Sequence, residues 1–151
     1  MPRIESHILI KTNRAVAIAI ARDNEAFPEF MDDVQSITTL TRSDDTKTVT
    51  SEWVAIVPKL KKRITWAEED VWDTERGTCT FKQVSGDFDE FHGSWTFTEI
   101  EPGLTKFDSV LIYRLEIPLV GALINAIILK TMQNNLESTQ QAIKKRCEEL
   151  G

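Results

Sequence analysis

An α+β fold, a twisted antiparallel sheet covered by a long final helix, is what the 151-residue sequence predicts. Three observations carry this expectation. From Val34 to Glu116 apolar residues recur with a period of two, which sends alternate side chains to opposite faces of a strand. Six such runs are separated by short turn segments: Ser43-Asp44-Asp45, Pro58-Lys59, Glu75-Arg76-Gly77, Gly86-Asp87 and Glu101-Pro102-Gly103. Connections this short imply an antiparallel meander. From Pro118 onward the turn signals stop, and Ala122, Ala126, Leu129, Met132, Leu136, Ile143, Cys147 and Leu150 recur at helical spacing.

The elements follow in order. Residues 3–11 read as a first strand, with Ile4, Ile8 and Ile10 on one face. Asn13 suits the N-cap of a helix over residues 14–22, because its side-chain oxygen can accept from an unpaired backbone N–H of the first turn. Asp23 or Asn24 then caps a second short helix through residues 26–31, with Pro28 in its first turn. Strands are expected over residues 34–42, 47–57, 61–73, 78–85, 90–100 and 104–116. Pro118 opens the terminal helix. No repeat, low-complexity tract or linker divides the chain, so residues 1–151 are read as one domain.

Composition narrows the function. Eighteen Lys and Arg against 24 Asp and Glu give a net charge of −6 and a pI near 5.0, the opposite of the basic footprint that nucleic-acid binding needs. Two cysteines, Cys79 and Cys147, are too few for a disulfide scaffold and read as small apolar residues. No amino-terminal targeting pattern stands out. The stretch from Leu119 to Leu129 is too short to span a bilayer and contains Asn125, so stable membrane insertion is not expected. A soluble cytoplasmic protein is the resulting expectation.

The strand faces point to an interior. Phe91, Gly93, Trp95 and Phe97 share one face of the fifth of these strands, and Phe107, Ser109, Leu111, Tyr113 and Leu115 share one face of the sixth. Val49, Ser51, Trp53, Ala55 and Val57 form a third face of mixed size. Either these rings fill a solid core, or a curved sheet leaves a gap in which Ser51, Ala55, Gly93 and Ser109 make room. The strand over residues 61–73 is ambiguous: Ile64, Trp66 and Trp72 share parity with Glu68 and Asp70. A bulge or a solvated strand end is the expected resolution, in preference to two carboxylates facing inward.

The sequence also resembles a known superfamily. Phe27-Pro28-Glu29-Phe30 followed by Val34 is similar to the opening motif of the polyketide cyclase/dehydrase and coenzyme Q-binding families. Gln83-Val84-Ser85-Gly86-Asp87-Phe88 and Gly93-Ser94-Trp95-Thr96-Phe97 look like their paired glycine–aromatic strands. Thr105-Lys106-Phe107 and Pro118-Leu119 fit in the same order, so the resemblance covers nearly the whole chain. It implies a START-like (SRPBCC) helix-grip fold, with a seven-stranded sheet wrapped around the carboxy-terminal helix and a hydrophobic cavity between them. It implies binding of lipids, quinones, hormones or polyketides without choosing among them.

Chemical motifs are sparse. His7 and His92 lie 85 positions apart and no metal-ligand spacing occurs, so no metal and no cofactor is expected. His92 falls opposite Trp95 and reads as a surface residue. A nucleophile elbow, P-loop and dinucleotide fingerprint are all missing. For a cyclase-type enzyme Tyr113 is the candidate catalytic proton donor, but Arg114, the candidate oxyanion partner, points to the opposite face. Glu68, Asp70 and Glu99 are candidate bases, each more simply read as solvated.

Binding a hydrophobic small molecule asks for less. Enclosing about 300 Å² of apolar ligand surface contributes roughly 7 kcal/mol gross, against an association cost of about 4 kcal/mol or more. The expected cavity wall is Phe30, Trp53, Trp66, Trp95, Phe97, Tyr113, Leu129, Met132 and Leu136, with the Tyr113 hydroxyl orienting a polar group. Val120, Leu123, Ile124, Ile127 and Ile128 make the start of the helix apolar on all sides. Neighbouring elements cover it, or the stretch from Leu119 to Leu129 forms a homodimer seam, a cavity mouth or a membrane-touching patch. A ligand-binding carrier is thus the leading expectation, with a cyclase/dehydrase enzyme and a partner-binding module as alternatives.

Overall fold

A computed structural model describes residues 2–29, 34–57, 60–116 and 121–150, the last without its side chain. Seven strands form one sheet: β1 (Arg3–Ile10), β2 (Val34–Arg42), β3 (Thr48–Val57), β4 (Lys62–Asp73), β5 (Thr78–Gly86), β6 (Glu90–Glu101) and β7 (Leu104–Arg114). Their spatial order is β1-β7-β6-β5-β4-β3-β2, and every neighbouring pair is antiparallel. The meander from β2 to β7 thus runs in sequence order, with β1 docked at its far edge. Helix α1 (Arg14–Arg22) and a 3-10 segment (Asn24–Glu29) lie between β1 and β2, and α2 (Ala122–Leu150) closes the chain. This is the expected α+β helix-grip architecture.

Local chemistry explains the elements. The Asn13 side chain accepts from the Val16 N–H at 2.9 Å, capping α1 as the sequence implies. The segment after α1 is 3-10 helix, not a second α-helix, and Pro28 lies inside it. Its expected end at Met31 lies outside the described residues, as do Phe30, Pro118, Leu119 and Val120. Helix α2 buries Ile128, Met132, Leu136, Gln140, Ile143 and Cys147, a stripe at spacings of three and four. Gln140 fastens the helix to the sheet, its amide nitrogen donating to the carbonyls of Ser6 and Phe107 at 3.2 Å each. Lys144 adds a bond to the Leu9 carbonyl at 2.8 Å.

Within the first helical turns, Ile128 is buried and Ile124, Ile127 and Leu129 pack partly against the core, whereas Leu123 is 74% exposed. Among the described residues no helix is long and apolar enough to cross a membrane.

Two glycines show how tightly the sheet is built. A Cβ on Gly93 would lie 2.1 Å from the Val110 carbonyl oxygen and 2.6 Å from the Phe81 ring, so the space the sequence leaves there is already taken by Phe81. Gly86, at φ 141°, lets β5 approach the Trp66 backbone where a Cβ would come within 2.5 Å. Next to it the β4–β5 register shifts between Ala67 and Glu68, with Ala67 opposite Ser85 and Glu68 opposite Gln83. The extra residue, Val84, belongs to β5.

Candidate ligand-binding site

That bulge settles the ambiguity of β4 in an unexpected direction. Because the added residue sits on β5, the alternation of β4 continues unbroken, and Ile64, Trp66, Glu68, Asp70 and Trp72 all face inward and are buried. The expectation of a register flip or a solvated end is corrected: Glu68 is 5% and Asp70 7% exposed. The reason is local satisfaction. The Trp66 indole N–H donates to Glu68 Oε1 at 2.9 Å, and the two carboxyl groups hydrogen-bond each other.

Burial pushes Glu68 well above the ordinary carboxylate range, and the adjacent Asp70 charge and hydrogen bond push the same way. Asp70 is also raised by burial, while its bond from Glu68 opposes the rise. The pair therefore shares a proton, with Glu68 as donor and Asp70 as acceptor. Asp70 Oδ1 is buried and has no hydrogen-bond donor besides the Glu68 carboxyl among the described residues.

These groups line a cavity between the concave sheet face, α1 and α2. The space open to the centre of a water molecule is about 60 Å³, several times the roughly 10–15 Å³ that one water needs. Together with the solvent-open space at its mouth, the cavity spans about 740 Å³. All four tryptophans of the chain, Trp53, Trp66, Trp72 and Trp95, contribute to the wall. Trp53 and Trp66 are cross-strand partners with stacked rings 5.7 Å apart, and Trp72 meets Trp95 edge to face at 6.2 Å. Ser51, directly opposite Glu68, accepts the Trp53 indole N–H at 3.0 Å.

At the mouth, Arg22 from the last turn of α1 lies 5.6 Å over the Trp72 ring and donates to the Thr46 carbonyl. Asn135, Leu136 and Thr139 supply the α2 side. Ser109 lines the cavity from β7, is 1% exposed, and has a hydroxyl oxygen without a partner.

The residues expected in the wall divide. Trp53, Trp66, Trp95 and Leu136 line the cavity. Phe97 is instead core, stacked on Phe107 at 4.4 Å and on Trp72 at 6.4 Å. Tyr113 is buried beside Phe88, ring centroids 6.2 Å apart, and burial raises its hydroxyl to about 12; it is not part of the lining. Met132 and Leu129 also pack outside the lining, and Phe30 falls outside the described residues. Of the small residues expected to make room, Ser109 alone opens onto the cavity.

The remaining candidates sit elsewhere. His92 pairs with Glu90 at 3.0 Å on the outer face, and Glu99 accepts the Arg14 backbone N–H at 2.7 Å. Arg114 reaches Glu116 at 3.2 Å, on the face away from Tyr113. Burial pushes the thiols of Cys79 and Cys147 up, the latter to about 11, away from any reactive thiolate. Sequence reasoning missed Glu68 and Asp70 as wall residues, along with Trp72, Phe81 and Arg22. The signal was present for the first three: they share the parity of Trp66 on an uninterrupted strand.

A sheet gripping one long helix, with a partly enclosed and mainly apolar cavity between them, defines the class of helix-grip proteins built to hold hydrophobic ligands. Residues 17–140 match the family model described as polyketide cyclase/dehydrase and lipid transport, and the chain belongs to that family. Among solved structures, TTHA0849 from Thermus thermophilus is similar over 99% of both chains, at 29% identity and a TM-score of 0.89. The Zhui aromatase/cyclase from Streptomyces sp. R1128 shares the fold at a TM-score of 0.86 and 10% identity, covering 97% of this chain and 93% of its own. A START superfamily protein from Mycobacterium smegmatis does so at a TM-score of 0.79 and 16% identity, over 99% of both. No curated protein matches the sequence.

Proposed function

We propose that the protein binds, and in doing so carries or sequesters, a hydrophobic small molecule of the lipid, quinone or polyketide kind in the cavity between sheet and α2. The single observation that supports this most is the unfilled space itself, walled by four indoles and floored by a proton-sharing carboxyl pair. Well-packed interiors rarely keep voids larger than a water, so a cavity of this size beside buried polar atoms fits a guest. The wall assigned to the ligand is Trp53, Trp66, Trp95 and Leu136, now joined by Trp72 and Phe81.

Native mass spectrometry of protein purified from its own host tests the reading. A co-purifying apolar molecule, displaced by an added naphthyl compound, is the expected result. Protein that is empty and takes up no apolar probe at high concentration contradicts it.

One observation favours a second reading, a cyclase- or dehydratase-type enzyme. Glu68 carries a transferable proton at the cavity wall beside a carboxylate that can accept one, which is the equipment of general acid–base catalysis. The proton donor in this reading is Glu68, replacing Tyr113. Turnover of a poly-β-ketone surrogate that disappears in Glu68→Gln while surrogate binding persists would support the enzyme. Equal turnover in both proteins removes Glu68 from the chemistry, and none in either leaves the carrier.

A further inference from the structure

Resting on the proposed ligand cavity, we infer that its occupant presents a hydrogen-bond donor to Glu68 and Asp70, and that an organic ammonium is preferred there over the hydroxyl or carboxylate of the same skeleton. The argument begins with what is unsatisfied. Asp70 is an acceptor more than nine-tenths buried that lines the cavity, and among the described residues its Oδ1 has no donor besides the Glu68 carboxyl. A buried acceptor with unused lone pairs is destabilising, the more so when it is charged. Ser109 Oγ, buried to the same degree on the β7 wall, is a second open position. A donor on the guest relieves the first and can approach the second.

Charge then selects among donors. Two adjacent carboxyl groups in a buried site hold one proton between them, since both cannot ionise unaided. An arriving ammonium supplies the missing positive charge, so Glu68 can release its proton to solvent and both carboxylates can face the cation. Four indole rings line the space, and the face of an indole attracts an organic cation. A carboxylate guest meets the reverse: the Asp70 charge and no free cation. Arg22, the one cation in the lining among the described residues, is already engaged by the Trp72 ring and the Thr46 carbonyl.

The other groups facing the pair do not change the sign. β5 contributes Cys79, whose thiol burial keeps protonated; β3 contributes Ser51 and Val49; β7 contributes Ser109; and α2 contributes Asn135, Leu136 and Thr139.

The experiment uses naphthylmethylamine, naphthylmethanol and naphthoate at neutral pH, with the full-length protein and calorimetry in two buffers of different ionisation enthalpy. Charge-assisted hydrogen bonds are roughly twice as strong as neutral ones, so the amine is expected to bind about tenfold tighter than the alcohol. Naphthoate is expected to be the weakest of the three. Amine binding alone is expected to release close to one proton (~1). Glu68→Gln keeps an acceptor for Trp66 and nearly the same volume, but holds no titrating proton. It is expected to abolish the proton release and to narrow the amine-to-alcohol ratio to about twofold or less. Equal affinities for all three probes, or a wild-type preference for naphthoate, overturns the inference while the cavity reading stands. Failure of all three to bind overturns both.

Discussion

Two regions of the same concave sheet face have opposite packing. Around β1, β7 and the second half of α2, Ile10, Phe107, Ile143 and Cys147 are wholly buried, and Phe97 stacks on Phe107 at 4.4 Å. Around β3, β4 and the middle of α2, rings of equal bulk leave about 60 Å³ open to water centres. Aromatic content is therefore not what separates core from cavity. The difference lies in the inward residues between the rings. In the solid region Thr105 is tied off by the Thr12 carbonyl at 2.8 Å, and Gln140 by two sheet carbonyls. In the open region Glu68, Asp70 and Ser109 occupy those places; Ser109 keeps its oxygen unpaired, and Asp70 Oδ1 has no donor besides the Glu68 carboxyl.

The sharpest way to break this comparison is to hollow out the solid side. Phe107→Ala is expected to lower stability by about 3–5 kcal/mol, since the cavity it leaves has rigid walls. Urea denaturation checks this, and a loss below about 1 kcal/mol would mean that the region is not close-packed. Gly93→Ala follows. Its Cβ would be forced against the Val110 carbonyl and the Phe81 ring, and overpacking of that kind costs about 1–3 kcal/mol. The expected readout is a lowered denaturation midpoint with loss of probe affinity, because Phe81 is itself part of the wall.

The carboxyl pair separates the two regions by pH. Glu68 is raised in the folded state, so the native protein holds a proton there that the unfolded chain releases near the ordinary carboxylate value. Stability therefore falls as pH rises from that value through the raised one, by up to about 1.4 kcal/mol per pH unit for one proton. Glu68→Gln is expected to flatten this dependence and to be relatively more stable at alkaline pH. Thermal unfolding from pH 5 to 9 reads the difference, and parallel curves for the two proteins would place the proton elsewhere.

The smallest stability effect is expected at Ser109→Leu, which adds apolar volume where space exists. Its unfolding free energy should change by less than about 1 kcal/mol, while affinity for an apolar probe drops about tenfold or more. Unchanged affinity would show that the probe sits elsewhere.

Much of the fold was legible in the sequence because each element carries its own punctuation. Residues 14–22 and 34–42 are bounded as their caps and turns imply, and the other strands end within a residue or two of theirs. The Thr105-Lys106-Phe107 start of β7 and the helical stripe on α2 were equally plain. The site was less legible, for a physical reason. Parity alone put Glu68 and Asp70 on the inner face beside Trp66, but the general rarity of buried carboxyls argued against it. What overrides that rule is a set of pairings made in space: Trp66 to Glu68, and Glu68 to Asp70, opposite Ser51 on β3. Conversely, Phe97 and Tyr113 share faces with genuine wall residues, and alternation cannot say where along a curved strand a cavity ends. Distance from α2 decides that, and it is a property of the assembled sheet.

The indole N–H signals of Trp53, Trp66, Trp72 and Trp95 give the most direct test, since the four tryptophans are all cavity wall. In a heteronuclear NMR titration with naphthylmethanol, these signals are expected to shift together and saturably, and to respond weakly in Ser109→Leu. Signals that stay fixed throughout the titration, or drift without saturation and equally in both proteins, would contradict a hollow interior that receives a guest.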